Sequence, residues 1–218
     1  MPPHVAHLLI GRPTNHAPDG EAPWITAIFR TPVSTPVFLT TTGFEGDEVA
    51  EKDVHGGPEK AALCYSLSNY PLWRAEHILD SSPGGFGENL AIDGQDESTV
   101  CIGDCYRIGE AEVQISQPRG PCSTLARRWN LPSLIKLVLQ NHRSGWYIRV
   151  LREGNIAPND SIELLSRPNP TWTISRAAEV NYSPQRTQQD LRELISLPEL
   201  SVNWKYDLQL KLQASHSS

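Results

Sequence analysis

With 218 residues, 39% of them hydrophobic and 20% charged, the chain is long enough for one ordinary core plus a small appendage and too short for two full-sized domains. Eighteen prolines and fifteen glycines argue against an all-helical bundle and point to a globular protein rich in turns. The formal net charge of −6 speaks against broad attraction to nucleic acid or to an anionic membrane surface, since both need a summed positive field; an anionic ligand must meet a local cationic pocket.

The chain opens Met1-Pro2-Pro3-His4, without the basic start and apolar run of a secretory signal, and no stretch holds 18 apolar residues together. A cytoplasmic location is expected. Enrichment in β-branched and aromatic residues predicts strands at 5–10, 24–30, 37–41, 61–66, 89–92, 105–108, 112–116, 145–151 and 161–165. Turn signals such as Gly56-Gly57, Gly84-Gly85, Asp93-Gly94 and Gly154-Asn155 punctuate them. Helices are predicted at about 69–79 and 132–141, the second with Leu134, Ile135, Val138 and Leu139 on one face.

Many short strands at short intervals predict a mainly β fold, a mostly antiparallel, barrel-like sheet with these helices lying against it. After Pro168 and Pro170 the texture changes, and three short helices are predicted near 175–181, 187–195 and 202–212, with prolines at their joints. The expected division is a β-barrel domain over 1–168 and a small three-helix domain over 169–218, ending in a frayed tail.

Cys64, Cys101, Cys105 and Cys122 are read as free thiols, because a chain of this size without an export signal does not need disulfides. Cys101 and Cys105 do not have the spacing of a redox pair, and no Cys or His partners stand at zinc-ligand intervals nearby. Neither a Gly-x-x-x-x-Gly-Lys loop nor a Gly-x-Gly-x-x-Gly fingerprint is present, so nucleotide-dependent readings lose their usual support.

Three segments can carry chemistry. The first joins Gly43-Phe44-Glu45-Gly46-Asp47-Glu48 to Val54-His55-Gly56-Gly57-Pro58-Glu59-Lys60. Its paired glycines suit an anion-binding nest of backbone amides flanked by His55 and Lys60, the lysine entering a strand, or else a plain tight hairpin. The second, Gly84-Gly85-Phe86-Gly87-Glu88-Asn89, offers a carboxylate and a carboxamide suited to a heterocycle edge, or a loop whose Asn caps its own turn. In the third, Ser116-Gln117-Pro118-Arg119-Gly120-Pro121-Cys122, a strand ends in a rigid turn and enters a helix. Cys122 at that helix start, beside Arg119, has the setting for a depressed thiol pKa; an inert buried cysteine is the alternative.

The ordered set Gly-x-Glu-Gly-Asp, His-Gly-Gly-Pro, Gly-Glu-Asn-Leu and Gln-Pro-Arg-x-Pro-Cys resembles the MOSC domain, named for the C-terminal domain of molybdenum-cofactor sulfurases. The segments 54–61 and 116–122 look most like its YiiM-type branch, associated with hydroxylaminopurine resistance, and the three terminal helices match the helical domain of that branch. The resemblance implies a MOSC-type β-barrel that binds the molybdenum cofactor, with Cys122 as protein ligand to the metal and a lysine–arginine–cysteine set at Lys60, Arg119 and Cys122. Gly56, Gly57, Glu88, Asn89, Ser116 and Gln117 are the further cofactor-binding candidates.

The implied activity is reduction of N-hydroxylated bases or related N-hydroxyl compounds, with His55 as proton donor. No flavin or iron–sulfur signature accompanies it, so electrons are expected from a separate reductase. The terminal helices are a candidate docking or homodimerisation surface. Two alternatives stay open: a non-catalytic carrier of the cofactor or of sulfur, and a cysteine hydrolase using Cys122 and His55.

Overall fold

The computed structural model describes residues 2–17, 22–51, 55–77 and 80–214. The first half of the chain forms β1 (His4–Ile10), β2 (Thr14–His16), β3 (Trp24–Thr26), β4 (Thr31–Val33), β5 (Val37–Thr40), β6 (Gly43–Phe44), β7 (Ala62–Ser66), α1 (Asn69–His77) and β8 (Leu90–Asp93). Then come β9 (Cys105–Ile108), β10 (Ala111–Pro118), α2 (Ser123–Arg128), α3 (Leu134–Asn141), β11 (Trp146–Arg152), β12 (Gly154–Ile156) and β13 (Ile162–Ser166). The chain ends in α4 (Ile174–Tyr182), α5 (Gln188–Ser196) and α6 (Val202–Ala214). Val54, the last two residues of the first predicted helix and the predicted frayed tail after Ala214 lie outside the described residues.

Eight strands form one sheet in the order β13-β9-β10-β11-β7-β8-β1-β4. β7, buried at every position, is apolar enough for the interior of the sheet, between β11 and β8. Its pairing with β8 is parallel, which requires a crossover, and α1 supplies it. The hydrogen-bonded ladder is not a closed barrel, for β13 and β4 are its edges. The sheet curls until the start of β1 meets the chain just ahead of β13, through a bridge between His4 and Ser161 and the bonds Val5 N–H to Asp160 O and Ile162 N–H to Pro3 O. Two smaller sheets, β12-β5-β6 and β2-β3, complete the β structure.

Four of the strands were not expected. β2, β4, β6 and β12 have two or three residues each, and β12 grows from a Gly-Asn pair that reads locally as a turn. Pairing of Gly154–Ile156 with Val37–Leu39 makes it a strand. Conversely, the strand expected over 24–30 ends at Thr26, whose Oγ1 accepts from the Ile28 amide at 3.1 Å; this side-chain turn bends the chain. Lys60 closes a 3₁₀ turn over Pro58–Lys60 instead of entering β7.

The terminal helices start within a residue of the expected 175, 187 and 202, at Ile174, Gln188 and Val202. Thr173 accepts from the Arg176 amide ahead of α4, and Thr187 forms a capping box with Asp190 ahead of α5. They share a core with the sheet: Trp172, Ile174, Ala177, Trp204 and Leu208 belong to the same buried cluster as Ile102, Val113 and Ile115. A second cluster, including Ile28, Tyr65, Trp73, Phe86, Leu125 and Val138, packs α1, α2 and α3 together. Among the described residues, no helix is long and apolar enough to cross a membrane.

Candidate functional site

Three parts of the chain converge on a cavity of about 460 Å³: the segments 47–51 and 55–61, the loop leading into β8, and the turn between β10 and α2. A ligand-sized cleft with a few polar groups aimed into it is what a small-molecule site requires. At Gly57, φ is +93° and the space a Cβ would fill is open, so the backbone presents itself to the cavity with nothing in front of it.

Asp47 organises the cavity wall. Its carboxylate accepts two bonds from Arg30, both at 2.8 Å, one from the Gly11 amide at 2.8 Å and one from Asn89 Nδ2 at 3.0 Å. Arg30 also donates to Gly87 O at 2.5 Å, and Asn89 Oδ1 accepts from the Leu63 amide at 3.2 Å. Gly87 is obligatory, since its φ is +73° and a Cβ would stand 2.8 Å from Ile28 Cγ1. This network explains why the Gly-x-Glu-Gly-Asp and Gly-Glu-Asn motifs occur together: one aspartate ties both loops and an arginine into a single buried node.

Glu88 shapes its own loop. Fully buried, it accepts from the amides of Gly84 at 2.6 Å and Phe86 at 3.1 Å and from the Tyr70 hydroxyl. Its acceptor capacity is directed into the Gly84–Phe86 turn, which sets Phe86 and Gly87 in the cavity wall.

Cys122 stands at the N-cap of α2 in an extended conformation, half-buried and lining the cavity with His55, Lys60 and Arg119. Burial pushes its thiol up, but a hydrogen bond from His55, the Arg119 charge and the Leu125 amide outweigh that and lower it to about 6. Cys64 shows the opposite case: enclosed in the core with no such partners, it is driven far above the thiol range by burial alone.

Arg119 is 4% exposed. Its backbone amide donates to Gly145 O at 3.0 Å and Nη2 donates to Phe86 O at 3.5 Å, while Nη1 is buried without a hydrogen-bond partner among the described residues. An unsatisfied buried guanidinium nitrogen is costly, and Arg119 is among the residues that line the cavity. Lys60 is half-buried, its Nζ 5.9 Å from the centre of the Tyr147 ring. Burial pushes its ammonium pKa down, opposed by the Asp207 carboxylate on α6.

The predicted candidates therefore separate. His55, Gly56, Gly57, Lys60, Asn89, Arg119 and Cys122 line one cavity. Glu88, Ser116 and Gln117 stand behind it. Ser116 Oγ lies 2.6 Å from Glu59 O and 3.1 Å from Tyr147 O, and Gln117 Oε1 accepts from Ser201 Oγ at 2.7 Å. Sequence reasoning missed Arg30, Thr26 and Tyr147 as wall residues; a lone arginine ending an apolar stretch was the available signal for the first.

A family model of the MOSC domain matches residues 51–163, and one of the YiiM-like 3-alpha helix domain matches residues 172–214. The chain belongs to the MOSC-domain family. It is 37% identical over 201 residues to the YflK protein of Bacillus subtilis, covering 92% of this chain and 90% of that one. A protein of Gibberella moniliformis named a reductase is 37% identical over 192 residues, which are 86% of this chain but 34% of that protein. The crystal structure of YiiM from Geobacillus stearothermophilus superposes with a TM-score of 0.82 at 31% identity, covering 97% of this chain and 100% of that one.

MOSC domains are associated in general with the molybdenum cofactor, and the donor set here fits such a group. Among the described residues, no group of three or more His, Cys, Asp or Glu side chains is placed to hold a bare metal ion. A cofactor that already carries sulfur donors asks for a single soft ligand, which Cys122 can supply, and its phosphate asks for a fixed cation, which the unpartnered Nη1 of Arg119 can supply.

Proposed function

We propose that this MOSC-domain protein holds the molybdenum cofactor through Cys122 and reduces N-hydroxylated bases or related N-hydroxyl compounds, with electrons from a separate reductase. The observation that carries the reading is the pairing, in one cavity, of a thiolate-prone Cys122 with a buried arginine whose Nη1 lacks a partner. When bound, the cofactor supplies the two-electron redox chemistry; the protein supplies binding, orientation and protons. Overall an N–O bond breaks, two electrons and two protons enter, and an amine and water leave.

Cys122 anchors the metal. Arg119, rigid and buried, suits a phosphate, for which a planar fork is the better partner; Lys60, half-buried on a flexible stem, suits the substrate's oxygen as a point charge. His55, hydrogen-bonded to Cys122, is within the cavity and is the proton source. The reaction class also draws support from the Gibberella protein named a reductase, of which the matched segment is 34%.

The test is molybdenum content and reduction rate in protein made by a cofactor-producing host and supplied with a chemical electron donor. Cys122→Ala is expected to lose the metal and still fold. Cys64→Ala, which hollows the core, is expected to keep the metal and lose stability. Equal molybdenum in wild type and Cys122→Ala overturns the ligand assignment. Bound cofactor without turnover favours a carrier, and activity that survives molybdenum depletion favours a thiol hydrolase built on the Cys122–His55 pair.

A further inference from the structure

The charges of the cavity are sorted by depth. At the floor stand Arg119, 4% exposed with Nη1 unpartnered, and Arg30, its side chain 8% exposed and locked to Asp47. At the lip stand Glu48 and Glu51, with side chains 50% and 67% exposed, beside the apolar Ile25, Val49 and Ala50. Glu48 approaches Arg12 at 3.9 Å and Glu51 approaches His55 at 3.8 Å, both beyond a hydrogen bond. Among the described lining residues these two carboxylates stand at the lip, while Asp47 is turned inward to Arg30.

We propose that Glu48 and Glu51 make the lip a charge filter, so that the loaded site takes neutral or cationic N-hydroxyl compounds and disfavours phosphorylated ones. The inference rests on the proposed reduction and narrows its substrate class to free bases and nucleosides over nucleotides. The cofactor's own phosphate is not turned away, because a desolvated guanidinium attracts it more strongly than two solvent-screened carboxylates repel it. A substrate arriving afterwards finds Arg119 and Arg30 engaged and passes the lip before it reaches Lys60. Rim charges of this kind act on the approach of a ligand and are sensitive to salt.

The experiment uses molybdenum-loaded protein, a reduced viologen dye as electron donor, and an N-hydroxylated purine, its riboside and its riboside 5′-monophosphate as substrates. Equilibrium binding of adenine, adenosine and adenosine 5′-monophosphate, the corresponding amines, is measured in parallel without the dye. At low ionic strength kcat/KM for the monophosphate should fall about ten-fold below that of the riboside, with the same order in binding. The gap should narrow at about 0.5 M salt and in the double variant Glu48→Gln/Glu51→Gln.

A monophosphate used and bound as well as the riboside overturns the filter while leaving the reduction intact. A gap that the double variant leaves unchanged also overturns it. Binding in the expected order with no turnover of any N-hydroxyl compound overturns the reduction and upholds the filter.

Discussion

Replacing His55 with alanine isolates the interaction that most directly prepares Cys122. The thiol sits at about 6 against an ordinary value of 9.0, although burial alone would raise it. His55 is the first of the favourable influences, and a hydrogen bond to a charged group contributes about 1.5–3 kcal/mol. At about 1.4 kcal/mol per pH unit, its loss should move the thiol up by about one to two pH units. The thiolate fraction at pH 7 would then drop from roughly nine tenths to between about a tenth and a half. The assay is iodoacetamide alkylation of cofactor-free protein from pH 5 to pH 9, read on the Cys122 peptide by mass spectrometry. Wild type should inflect near 6, and His55→Ala about one to two pH units higher. A wild-type inflection near 9, or variant and wild-type curves that coincide, would refute the reasoning.

The same thiolate makes the stability of the cofactor-free protein depend on pH. Because folding lowers this pKa, its contribution is fully present above the unfolded value near 9 and is lost as pH falls through about 6; the melting-temperature gap between wild type and Cys122→Ala should widen from pH 6 to pH 9, and a constant gap contradicts the assignment. Asp47→Ala leaves the Arg30 guanidinium buried without its partner, both side chains being 8% exposed, and should cost about 3–5 kcal/mol in urea unfolding. A Cβ at Gly120 would stand 3.2 Å from the Tyr182 hydroxyl, so Gly120→Ala should lower molybdenum retention and the melting temperature by about 2–4 °C. Tyr182→Phe in the same chain should restore both, and failure of that rescue removes the Tyr182 hydroxyl as the cause.

The sequence by itself determined the strands whose apolar runs are long enough to read, the three terminal helices, the glycines that only glycine could satisfy, and the junction that presents Cys122. These are local properties: periodicity, cap chemistry and backbone freedom are set by neighbours a few residues away. Tertiary structure decided which polar motif residues face the cavity. Glu88 bends back to its own loop, Gln117 is engaged by Ser201 from 84 residues away, and Arg30 reaches the wall because Asp47 holds it there. It also decided that Gly154–Ile156 is a strand and that the sheet curls without closing its ladder. Each of these outcomes depends on hydrogen-bond partners brought together by chain reversal, and a side chain's direction is settled only once those partners are in place.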